Sequence, residues 1–129
     1  MPTIERENLF TFIIADTSAI QYRADDASER VSAKFRLYYK LVECGYSAVL
    51  IDVDVLVGEQ FADIVVYEDY EHSQPKLLIE CLPSGATIED VADARIRAEE
   101  KAGRINCPHW ARAIGDELLE DEYLNPDFK

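Results

Sequence analysis

Positive charge is scarce in this chain. Thirteen Lys and Arg stand against 26 Asp and Glu, for a formal net charge of −13 at pH 7 over 129 residues. A surface of that sign repels nucleic acid on average, so DNA binding would require the few basic residues to gather in one place. Cysteine is also sparse. Cys44, Cys81 and Cys107 are odd in number and far apart, which excludes a disulfide framework. Cys107-Pro108-His109 lacks the second Cys or His pair that a four-ligand zinc site needs. No apolar run approaches the roughly 20 residues that span a bilayer. The opening MPTIEREN has no basic-then-apolar order of a secretory signal. No membrane partner and a cytoplasmic location are therefore expected. Repeats, low-complexity tracts and Gly/Ser linkers are missing as well, and the length suits one domain.

What is present alternates between helical and strand periodicities. Residues 9–15 (LFTFIIA) form a short apolar run with β-branched content, which predicts a strand. Asp26, with Glu29 three residues on, offers a capping-box start for a helix. Val31, Phe35, Tyr38 and Val42 recur at helical spacing, with Leu37 and Leu41 alongside, and Gly45 is the natural stop. Residues 49–57 (VLIDVDVLV) alternate, predicting Ile51, Val53, Val55 and Val57 on one face and Asp52, Asp54, Leu50 and Leu56 on the other. Gly58-Glu59 joins this run to 61–67 (FADIVVY) as a hairpin. A charged loop containing His72 leads to a third strand, 76–82 (KLLIECL). Thr87 with Asp90 caps a strongly helical stretch, 88–102. A strand at 110–114 follows, and 117–123 reads as a short helix or a loop. The three consecutive strands favour antiparallel pairing, and the helix after them is long enough for a parallel crossover. The fold class expected is α/β, a mixed β-sheet flanked by helices. Residues 1–27 would form an N-terminal strand and connection, 28–124 the α/β body, and 125–129 a frayed tail.

Two acids interrupt apolar strands. Asp63 lies in the second strand and Glu80 in the third. Acids at strand ends facing solvent are common, but these two fall within apolar runs. Carboxylates on adjacent strands, with the Cys81 backbone carbonyl, offer hard oxygen ligands for Mg²⁺ or Mn²⁺. Such an ion can activate water and stabilise charge on a phosphodiester. Nucleases that hold a metal this way also need a lysine two residues past the second acid, and here that place is Leu82. Leu82 shares a face with Glu80, while Cys81 points opposite. Arg97 and Lys101 on the following helix are the candidates to bring a cation to the site instead.

The other polar candidates carry plainer readings. His72 has no orienting partner in view. His109 packs or caps, Asp52 and Asp54 suit an exposed strand face, and Glu29 suits a cap. The Arg95 to Arg104 series reads as a solvated helix face, with phosphate contact as the alternative. No phosphate-binding Gly loop, nucleophile elbow or Ser/His/Asp set is present.

Residues 29–46 (ERVSAKFRLYYKLVECGY), 53–58, 62–67 (ADIVVY) and 77–84 (LLIECLPS) together resemble the N-terminal nuclease domain of type I restriction enzyme R subunits, within the PD-(D/E)xK superfamily. The resemblance covers about residues 28–114. It implies a restriction-endonuclease-like fold, Asp63 and Glu80 as first and second metal ligands, and Glu29 as the acid of the first helix. The chain departs from the pattern at Leu82, at Phe61-Ala62 where an arginine often precedes the Asp, and after Glu80, where Arg95 lies near the usual glutamine. At this length no motor domain is expected beside it. Two functions are therefore expected. One is a stand-alone, catalytically impaired nuclease-like domain that acts as a binding or accessory module, its partner a protein, nucleic acid or a second copy in a homodimer. The other is a Mg²⁺-dependent DNA endonuclease with a relocated cation. Residues 9–14 and 35–39 carry more large apolar side chains than one core face needs and are the expected source of any self-contact.

Overall fold

The computed structural model describes residues 25–128, with side chains from Ala33 onward. The element order is α1 (Asp25–Glu43), a 3-10 turn (Ala48–Leu50), β1 (Ile51–Val57), β2 (Gln60–Tyr67), β3 (Pro75–Leu82), α2 (Ile88–Arg104), β4 (His109–Ile114), β5 (Glu117–Leu118) and a second 3-10 turn (Asp121–Leu124). The chain divides into two units at Val31/Ser32. The second unit, Ser32–Lys129, contains every described strand; of the first, only the helical backbone of its last residues is described. The strand expected at residues 9–15 lies outside the described residues, as do the side chains of Asp26 and Glu29.

The five strands form one sheet in the order β1-β2-β3-β4-β5. β1, β2 and β3 pair antiparallel, β3 and β4 pair parallel across the α2 crossover, and β5 returns antiparallel to β4. This is the expected mixed sheet with flanking helices. Each face has its own core. Leu37 and Leu41 of α1 pack with Ile64, Val66, Leu77, Ile79, Ala111 and Ala113. Ala98 and Ala102 of α2 pack with Val57, Ala62, Val65, Tyr67 and Leu78 on the other side. Small residues on α2 let its backbone lie close to the sheet. Its start is fixed by the capping box read from sequence: the Thr87 hydroxyl accepts from Asp90 N at 3.1 Å, and Asp90 Oδ2 accepts from Thr87 N at 3.0 Å.

Four local readings differ from expectation. The β1 side chains do not alternate throughout. Ile51 belongs to the α1-side core, whereas Val55 and Val57 pack on the α2 side. Asp54 takes a left-handed backbone, φ 57°, and that residue inverts the pattern. In α1 the buried stripe is Ala33, Leu37 and Leu41, with Tyr38 and Val42 partly packed, while Phe35 and Tyr39 are exposed. Next, 117–118 is a two-residue strand followed by a 3-10 turn, so the segment read as helix or loop extends the sheet. Residues 125–128, read as a frayed tail, are tied down. Lys76 Nζ donates to Pro126 O at 2.9 Å, and the Phe128 ring packs edge-on against His109 and Tyr123.

Candidate functional site

A row of charged residues crosses the middle of this apolar sheet. The β2–β3 ladder runs to Ile64↔Ile79, so the next step sets Asp63 opposite Glu80. On the outer side, Val53↔Ile64 and Val55↔Ala62 bracket Asp54 and Asp63. On the inner side, Glu80 pairs with Arg112 of β4. Asp54, Asp63, Glu80 and Arg112 thus occupy four neighbouring strands.

Asp54 is exposed, but burying the others in this way is costly unless each one is paired and hydrogen-bonded. Each is. Asp63 Oδ2 accepts from the Cys81 backbone N–H at 2.8 Å, supplying an acceptor just beyond the end of the ladder. Its Oδ1 lies 3.0 Å from Lys34 Nζ, an ammonium on α1 that also donates to Asp54. Glu80 is 3% exposed. Its Oε2 accepts from Lys101 Nζ at 2.9 Å, and its Oε1 lies 3.5 Å from Arg97 Nε. Lys101 also donates to Phe61 O at 2.7 Å, fastening α2 to the start of β2. Arg112 is held by Glu120, with Nε–Oε2 at 3.0 Å, and donates to Val91 O at 3.2 Å.

The pairs differ in electrostatic balance. Burial opposes the charge on Lys34, yet Asp63 and Asp54 outweigh it and hold the ammonium above its ordinary pKa. At Glu80 burial prevails. The carboxyl is pushed up from its usual value, with the Lys101 hydrogen bond pulling the other way without cancelling the shift. Burial also pushes up the Cys81 thiol, so this cysteine is an inert core group.

Of the residues singled out from sequence, the structure brings Glu80, Arg97 and Lys101 into direct contact, and Asp63 into contact with the Cys81 main chain. Asp63 and Glu80 are register neighbours, but their cationic partners come from different helices, Lys34 from α1 and Lys101 and Arg97 from α2. Cys81 enters through its N–H, and Leu82 is buried at 5% exposure. A divalent ion would have to displace an ammonium from each carboxylate. Among the described residues no group of three or more His, Cys, Asp or Glu is arranged to hold a metal. An ion at this site would therefore compete with ammonium groups already seated on both carboxylates.

The other candidates settle into structural places. The His72 ring stacks on Tyr67 with centroids 4.4 Å apart, its Nε2 lies 2.8 Å from Val49 O and its Nδ1 3.5 Å from Asp52. It is therefore an oriented residue after all, fastening the β2–β3 loop to the start of β1. His109 packs within the Tyr123 and Phe128 aromatic group. Arg95 pairs with Glu99 and Arg104 with Glu100 on the outside of α2.

Sequence reasoning missed Lys34. Its signal lay in phase: position 34 shares a helical face with Leu37 and Leu41, so a lysine there is directed at the core. A wider pattern emerges with it. Every Lys and Arg whose side chain is described has an intramolecular partner: the five above, Arg36 on Asp116, Lys40 on Asp116 O, Lys76 on Pro126 O, and Arg112 on Glu120. The pairs of Arg36, Arg95 and Arg104 are exposed, whereas Lys34 and Lys101 are buried. No helix among them is long and apolar enough to cross a membrane. No protein-family model, curated protein or solved structure matches this chain.

Proposed function

We propose that this protein is a restriction-endonuclease-like domain whose acidic pair has become a set of structural ion pairs, and that it acts as a binding or accessory module in the cytoplasm. One observation carries the reading: Glu80, the second expected ligand, is buried with its carboxylate bonded to the Lys101 ammonium at 2.9 Å. The engaged cations and the net charge of −13 support it, because a nuclease must attract a polyanion. The test is a cleavage assay on linear and supercoiled DNA with Mg²⁺ or Mn²⁺, paired with calorimetry of Mn²⁺ against the intact chain and Asp63→Ala. The reading expects no cleavage and the same calorimetric trace for both proteins.

A second reading has a specific observation behind it. Lys101 and Arg97 lie at Glu80 from the following helix, where a relocated cation would sit in a Mg²⁺-dependent DNA endonuclease lacking a lysine at Leu82. In that case Asp63, Glu80 and the Cys81 carbonyl would hold the ion once the ammonium groups moved aside. Metal-dependent cleavage that disappears in both Asp63→Ala and Lys101→Met would establish this reading in place of the first.

A further inference from the structure

Among the described residues nothing covers the outer face of α2, and that face is patterned. At about 100° per residue, Ile88, Ala92 and Ile96 fall within an arc of roughly 80°, turned about 120° from the Ala94, Ala98 and Ala102 face that meets the sheet. Ile88 is 89% exposed and Ile96 61% exposed, with Ala92 exposed between them. The stripe ends at Ile96, because exposed Glu99 falls within the same arc one turn on. A lone surface isoleucine needs no explanation, but a stripe at four-residue spacing is the pattern of a helix face that meets something.

Charge decides what that something is. Glu89, Asp93 and Glu100 line one flank of the stripe. Among the described residues neither Glu89 nor Asp93 has a cation partner, whereas the basic residues nearby, Arg95 and Arg104, are already paired with Glu99 and Glu100. The uncompensated charge beside the stripe is therefore negative. A second copy of this face would bring like charges together, and a phosphate backbone would meet acids without free cations.

We propose that the outer face of α2 docks a basic, amphipathic helical segment of another protein, apolar residues on the Ile88–Ala92–Ile96 stripe and Lys or Arg along the Glu89/Asp93 flank. This rests on the binding-module reading and deepens it by naming the face and the chemistry of the partner. Helix-on-helix docking of this kind uses apolar anchors at three- and four-residue spacing, with charge setting orientation and encounter rate.

The experiment titrates the ¹⁵N-labelled full chain with a synthetic 18-residue Leu/Lys amphipathic helical peptide. A Lys/Gly/Ser peptide of equal charge serves as control. Expected are amide shifts centred on Ile88, Ala92 and Ile96. Affinity should drop about tenfold or more in Ile88→Ser/Ile96→Ser, by the apolar area removed. It should weaken further with salt in the parent but less in Glu89→Gln/Asp93→Asn. The control peptide should bind far more weakly. Both double variants alter exposed side chains only, so the unperturbed remainder of the spectrum reports that they fold. Shifts centred on the acidic β2–β3 loop, equal binding of the control peptide, or affinity unchanged by Ile88→Ser/Ile96→Ser would overturn the proposal. So would concentration-dependent shifts of the same face without peptide, the mark of a second copy, or displacement of the peptide by duplex DNA. None of these readouts depends on metal or cleavage, so its failure is distinguishable from failure of the binding-module reading.

Discussion

Lys101 is the residue on which the largest single effect is expected. Its ammonium neutralises a carboxylate that has almost no access to water. Lys101→Met leaves Glu80 buried with only the longer Arg97 contact, a loss of about 3–5 kcal/mol by analogy with broken buried pairs. Glu80→Gln/Lys101→Met removes both charges and should recover a large part of that loss. Urea denaturation of the two variants checks this, and equal destabilisation of both would show that Lys101 acts by packing alone. Lys34 invites a parallel comparison, since its removal strands the largely buried Asp63 carboxylate, while Asp54 stays in contact with water. The sequence made Asp63, Glu80, Arg97 and Lys101 legible because acids inside apolar strands and cations on the next helix stand out by composition. It hid that Asp63 is served from the other helix, by Lys34. Which helix reaches which acid depends on the side from which each helix covers the sheet, and neither spacing nor residue type encodes that.

At the scale of the element, local chemistry was easiest to read where it is self-contained. Thr87 and Asp90 cap α2 within four residues, and the box was visible directly. Thr87→Ala should cost about 1 kcal/mol, read from the shift in denaturation midpoint. β1 was misread for a reason equally local but silent in the letters. One left-handed residue, Asp54, turns the strand's faces over midway. Asp tolerates that conformation better than most residues. Asp54→Ala loses both the tolerance and the Lys34 partner, whereas Asp54→Gly loses only the partner. Gly should therefore be the milder change, by about 1 kcal/mol, and chemical denaturation of the two variants measures the difference. β5 escaped notice because two residues carry no periodicity; it exists only because β4 offers an edge.

For the whole molecule, the titrating groups set a clear asymmetry with pH. Burial raises the Tyr46 hydroxyl to about 12 from 10.0 while it donates to Tyr123 O. The folded state then keeps a proton that the unfolded chain releases, so stability falls as pH rises above the unfolded value of 10.0. Lys34 has the same sign. Its folded pKa is raised, so its contribution is complete below 10.5 and is lost as pH climbs through the higher folded value. Glu80 is an acid raised on folding, so its contribution to stability improves as pH falls below that raised value. The melting temperature should therefore fall steeply above about pH 10. Tyr46→Phe should flatten that descent while lowering the neutral-pH value. A thermal-melt series from about pH 7 to 11 on both proteins reads it, and identical alkaline slopes would remove Tyr46 from the account.

The charged row across the sheet also governs how the chain can assemble. A strand slipped by one residue would carry a carboxylate to the opposite face, away from the ammonium that waits for it. An apolar sheet tolerates such errors until its core is tested, whereas here the fault is electrostatic and immediate. The same row makes the sheet a poor intermediate. Until α1 brings Lys34 and α2 brings Lys101, its centre holds uncompensated negative charge. The charged row is therefore balanced only when both helices are in place, and it ties the register of the strands to the seating of the helices.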